Sequence, residues 1–90
     1  MKYHTSDFVQ RKMFKLGRGN IDIFDRIEKQ LTLFENNEKH PSLRIHKLKG
    51  KLKDYWSLSI GMGVRMIYFI KNNEAYFVDI GTHDEVYRMN

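Results

Sequence analysis

Apolar positions recur at helical spacing through the first third of the chain and at strand spacing through the last. Val9, Met13 and Leu16 fall on one side of a helix, with Phe8 beside them. Ser6 stands where its hydroxyl can accept from an exposed amide of the first turn. Gly17 and Gly19 mark the end, because glycine enters the left-handed conformation of a helix C-terminus without a Cβ penalty. A second helix is predicted after Asn20, with Asp22 and Asp25 near the positive end of its dipole. Its seam is Phe24, Ile27, Leu31 and Phe34, widened by Ile23 and Leu33, and Asn36-Asn37 closes it. After Pro41 the period changes. Leu43 to Leu48 has strand character up to Gly50. Tyr55 to Ile60 alternates, with Trp56, Leu58 and Ile60 on one face and Tyr55, Ser57 and Ser59 on the other. Val64 to Ile70 sets Val64, Met66, Tyr68 and Ile70 against Arg65, Ile67 and Phe69, and Ala75 to Ile80 is the last strand. Gly61-Met62-Gly63 and Lys71-Asn72-Asn73-Glu74 read as turns. Thr82 followed by Glu85 has capping-box spacing, which predicts a short terminal helix. Met1 to Thr5 suits an edge strand.

The predicted order is β-α-α-β-β-β-β. Strands joined by short turns form an antiparallel meander, and helices preceding it cover one face. The expected fold is α+β: two N-terminal helices packed on one face of a mostly antiparallel four- to five-stranded sheet, with the other face open. The helix seam is better used against the chain's own sheet than in a coiled coil. Ninety residues make one domain, 1–90, and a chain of this size buries only about 60% of its unfolded surface. An apolar content of 41% is nevertheless enough for a core and sets the chain apart from disordered ones.

Charge sharpens the picture. The net charge is +5, and the excess is local: Lys39, Arg44, Lys47, Lys49, Lys51 and Lys53 lie in a stretch with no acid, together with His40 and His46. Such a cluster attracts anions. With no cysteine, disulfides, thiolate nucleophiles and cysteine-based zinc sites are excluded. No HExxH or other zinc-like ligand spacing occurs, so neither a metal nor any other cofactor is expected. No apolar window approaches a membrane span and the N-terminus lacks a cleavage signal, so a cytoplasmic protein with no membrane partner is expected.

Metal-free RNA cleavage needs a base for the 2′-hydroxyl, cations for the charge growing on phosphate, and an acid for the departing 5′-oxygen. His46 and His83 suit the proton transfers, because imidazole titrates near neutrality. Arg65, the one cation in the run Val64 to Ile70, suits a phosphate. Tyr87, four residues after His83, shares its helical face and can bond a phosphate or stack on a base. Lys47, Lys49, Lys51 and Lys53 alternate, and in an extended segment they would line one edge as a rail for phosphates, bending at Gly50. Each has a plainer explanation: an idle surface histidine, a sheet arginine facing water, a tyrosine packing the C-terminus, a lysine edge that discourages aggregation.

Four segments carry a resemblance: His40-Pro41-Ser42-Leu43-Arg44-Ile45-His46-Lys47-Leu48-Lys49-Gly50, Tyr55-Trp56-Ser57, Arg65-Met66-Ile67-Tyr68 and Ile80-Gly81-Thr82-His83-Asp84-Glu85-Val86-Tyr87. They resemble the RelE/ParE superfamily of bacterial type II toxins, most nearly its YafQ-like and RelE-like ribonucleases, over almost the whole chain. The resemblance implies an mRNA endoribonuclease acting on translated messages in the ribosomal A site and held inactive by a cognate antitoxin; the free chain is expected to be a monomer. It implies acid/base roles for His46 and His83, substrate contact for Tyr87, the scissile phosphate for Arg65, and RelE-like lysines at Lys51 and Lys53. Two departures accompany it. YafQ-like members carry a further histidine and an aspartate where Ser59 and Gly63 stand, and the second RelE-like arginine is missing from the region of Asp79 and Gly81. The rival on the same fold is a ParE-like, non-catalytic inhibitor of DNA gyrase. A generic basic RNA-binding module is a third reading.

Overall fold

A computed structural model of the chain describes residues 1–87. The elements run β1 (Tyr3–Thr5), α1 (Asp7–Gly17), α2 (Ile21–Asn36), a 3-10 turn (Pro41–Leu43), β2 (His46–Lys47), a second 3-10 turn (Gly50–Leu52), β3 (Trp56–Gly61), β4 (Val64–Lys71), β5 (Glu74–Thr82) and α3 (His83–Tyr87). The sheet order is β1-β5-β4-β3-β2, with β1 parallel to β5 and every other pairing antiparallel. The helices start where capping chemistry places them. Ser6 Oγ accepts from Val9 N and Asn20 Oδ1 from Ile23 N. Thr82 and Glu85 form a reciprocal box, Glu85 N donating to Thr82 Oγ1 and Thr82 N to Glu85 Oε1. Both hairpins turn through left-handed pairs, Met62–Gly63 and Asn72–Asn73, the geometry that matches strand twist.

Val9, Ile27, Leu31 and Phe34 of the helices bury themselves against Leu58, Met66, Tyr68, Phe77 and Ile80 of the sheet. Phe34, Tyr68 and Phe77 form an aromatic centre with centroids 5.1–5.6 Å apart. Full burial of side chains of this kind stabilises by about 1.5–3 kcal/mol each, and it pushes the Tyr68 phenol upward. The α1–α2 corner is tight: a methyl on Gly17 would lie 2.4 Å from the Phe24 ring.

Three expectations need correction. The strand expected over Leu43 to Leu48 shrinks to His46–Lys47. Pro41 opens a 3-10 turn instead, His40 Nδ1 accepts from Ser42 N, and Arg44 turns left-handed at φ 46°. The lysine rail is not extended, because Gly50–Leu52 is helical and places Lys51 on a turn. The face away from α1 and α2 is not wholly open. Ile67 points there by alternation yet is fully buried, and α3, with Val86 also buried, packs against β4 and β5.

At the far edge of the sheet His4 Nε2 lies 2.6 Å from Glu74 Oε1. That hydrogen bond, then the nearby Lys2 charge, holds the Glu74 carboxyl below the ordinary glutamate range. A depressed carboxyl contributes stability that is present above its unfolded value, about 4.3, and disappears as pH falls through the lower folded value. Glu74→Gln is therefore expected to lower stability at pH 7 and to flatten its decline in acid. Urea unfolding across that range checks this; parallel curves for the two proteins would refute it.

Candidate active site

The site is assembled on β3, at the end of the sheet where β2 and α3 approach it. In β3, Ser57 lies between His46 of β2 and Ile67 of β4, and Ser59 faces Arg65. Alternation puts Ser57 on the face away from α1 and α2, and the residue is fully buried. Its hydroxyl accepts from two sides. Arg65 Nε donates over 2.5 Å and the Tyr87 phenol over 2.8 Å. Arg65 Nη2 also donates to the Arg44 carbonyl at 3.0 Å, so the guanidinium is held between β3 and the left-handed corner after Pro41–Leu43. Across β4 the neighbour of Arg65 in β5 is Gly81, which has no side chain to crowd it.

Tyr87 is fixed from the other end by His83, whose ring meets it edge-on at 4.2 Å between centroids. The capping box sets the turn that carries both. His83 remains 72% exposed, open to a substrate, with Asp84 Oδ1 3.7 Å away on the surface. An ion pair so exposed contributes little. His46, Lys47, Leu48, Lys49, Leu52, His83 and Tyr87 line one groove of about 440 Å³, with no carboxylate among the described residues that line it.

The structure therefore brings together His46, His83, Tyr87, Lys47 and Lys49, and joins Arg65 to them through Ser57. Lys51 and Lys53, exposed at the second 3-10 turn, do not line the groove. Arg65 itself lines a larger cleft of about 870 Å³, with Arg26, Lys29, Arg44 and Ser59 but also Asp22 and Asp25, and reaches the smaller groove only through Ser57. The two carboxylates offset part of the charge of its four cations, whereas the smaller groove pairs its lysines with the two imidazoles. Among the described residues, no group of three or more His, Asp or Glu side chains is placed to hold a metal, and no helix is long and apolar enough to cross a membrane.

Ser57 is the site residue that sequence reasoning passed over. Its signal was present: a small polar residue on the non-core face of β3, two positions from the partner of Arg65. The departures from the family pattern are also placed. The Ser59 carbonyl accepts from the nearly buried Gln30. Asp79 pairs with Lys12 of α1 at 2.7 Å, so a structural ion pair occupies the region where a second arginine was sought.

A family model described as the bacterial toxin of type II toxin–antitoxin systems, YafQ, matches residues 1–88. Among curated protein sequences none matches. Among solved structures, YafQ from E. coli strain BL21(DE3) superposes with a TM-score of 0.75 at 19% identity, covering 96% of this chain and 97% of that one. A YoeB/ParE toxin from Agrobacterium tumefaciens gives 0.74 at 16% identity, over 92% and 99%. A chain of the E. coli DinJ–YafQ toxin–antitoxin complex gives 0.73 at 22%, over 96% of each.

Proposed function

The chain belongs to the YafQ family of bacterial toxins of type II toxin–antitoxin systems, and from that premise we propose that it is a ribosome-dependent mRNA endoribonuclease needing no metal. One of the two imidazoles takes the 2′-hydroxyl proton. The 2′-oxygen attacks phosphorus, the bond to the 5′-oxygen breaks, and the other imidazole protonates that oxygen. The products are a 2′,3′-cyclic phosphate and a 5′-hydroxyl. Arg65 stabilises the charge growing on the phosphate oxygens, and Tyr87 offers its ring and phenol to the substrate. Lys47 and Lys49 hold the backbone without reading sequence, and Lys51 and Lys53 extend the cationic track round the turn.

What supports this reading above all is the buried Ser57 hydroxyl, which ties guanidinium to phenol while the phenol ring meets His83. A gyrase inhibitor would need no such convergence. The same groove, with its lysines and imidazoles, suits an acidic antitoxin segment that folds on binding, in keeping with the complexed relative. The free toxin acts as a cytoplasmic monomer.

Mapping message ends after induced expression tests the reading. Cuts are expected within translated regions, and they should vanish from a message whose start codon is removed. Intact messages with arrested replication would overturn it in favour of gyrase inhibition.

A further inference from the structure

Four rings cross the face of the sheet opposite α1 and α2. His4 of β1 stacks on Tyr76 of β5 at 4.5 Å and 17°. Tyr76 stacks on Phe69 of β4 at 5.2 Å and 12°, and Phe69 meets Tyr55, just before β3, edge-on at 6.2 Å. His4 and Tyr76 are register partners, as are Tyr76 and Phe69, so the row follows one rung of the sheet. The exposed face of an antiparallel sheet is ordinarily polar. Here it carries a continuous strip of π-surface.

We propose that this row is a stacking platform for the bases of the message strand beyond the catalytic groove. The proposal rests on the ribonuclease reading and extends it to a second RNA contact. Continuity carries it. A shallow groove of about 570 Å³ lies over the row's near end, lined by Lys47, Asp54, Tyr55, Trp56, Phe69 and Ile70. Lys47 also lines the groove of His46 and His83, and its ammonium sits 5.7 Å from the centre of the Trp56 ring. A strand leaving the catalytic groove past Lys47 therefore meets Trp56, Tyr55 and Phe69 next. Phe69 stands four residues from Arg65 on β4, about 13 Å along the strand.

The charge on this surface favours bases over an acidic chain. Its carboxylates are Asp54 and Glu74, the latter occupied by His4 and Lys2, and they would repel an acidic chain lying along the row. Base–aromatic stacking tolerates any sequence, because every base has a π-face. It would let the toxin grip a message without narrowing the codons it cuts.

Trp56 is the only tryptophan in the chain and lies in this groove, so its fluorescence reports occupancy. The probes are uncleavable 2′-O-methyl RNAs: a short one that fills the catalytic groove alone, and longer ones extended on the 5′ or the 3′ side. One of the longer RNAs is expected to bind about tenfold more tightly than the short one and to quench Trp56. Phe69→Leu and Tyr76→Leu keep apolar bulk but remove the ring faces. They should erase that advantage while leaving the short RNA's affinity and thermal unfolding unchanged. Equal affinities of wild type and variants for the longer RNA would overturn the platform and leave the catalytic groove standing. So would quenching of Trp56 by an acidic polypeptide but not by RNA. Failure of both lengths to bind would remove the groove reading and the platform with it.

Discussion

Cleavage of a ribosome-bound message is expected to fall about 10²–10³-fold when Arg65 is replaced by alanine, the range typical of losing one preorganised donor to a developing oxyanion. The expectation follows from how the side chain is held. Nε is committed to Ser57 and Nη2 to the Arg44 carbonyl, so the guanidinium's position is set before substrate arrives. Lysine keeps the charge but is a point donor that cannot reproduce a planar fork, so Arg65→Lys should recover only a small part of the rate. Ser57→Ala acts through Arg65 and Tyr87 as a positioning change. It should lower the rate by about tenfold or more, because the hydroxyl accepts two hydrogen bonds, each worth about 0.5–1.5 kcal/mol, without moving the pH profile. End-mapping on a translated message, with circular dichroism to confirm folding, measures all three. Full cleavage by Arg65→Ala would remove the guanidinium from the mechanism.

The legible and illegible parts of this chain divide along a physical line. Local chemistry wrote the helix boundaries: Ser6, Asn20 and the Thr82–Glu85 pair each bond within a few residues of themselves, so spacing alone locates them. Alternation likewise wrote the core face of β3 and most of β4. What stayed hidden depends on registers set by the whole sheet. Between Ile67 and Tyr68 the pairing with β5 shifts, Ile67 facing Asp79 and Tyr68 facing Phe77, which leaves Val78 over. Such a bulge re-aims the residues around it, and Asp79 consequently reaches Lys12 rather than the site. The lysine run misled for a different reason. Its alternating pattern satisfies a strand, yet Gly50 at φ +65° admits a turn that no pattern of cations can veto. Ser57 was hidden because a serine in a strand is usually silent. Only pairing β3 with β4 and packing α3 on the sheet show that Arg65 and Tyr87 both reach it.

His83→Ala is expected to cost about 10²–10⁴-fold in cleavage, the usual worth of a positioned proton-transfer group. At 72% exposure its removal should leave folding intact. Rate alone would not say which imidazole is base and which acid, but the pH profile does. The intact enzyme should show a bell, with one limb from the group that must be unprotonated and one from the group that must be protonated. Replacing the base removes the rise at low pH, and replacing the acid removes the fall at high pH. If His46 and His83 share the task across one groove, each single variant keeps one limb, and they keep opposite ones. The double variant should lose both and fall little further than the worse single, because members of a catalytic unit do not contribute additively. A bell that survives in His83→Ala would place the proton transfers elsewhere. The nearest alternative would then be the phenol of Tyr87, already touching the Ser57 hydroxyl that positions Arg65.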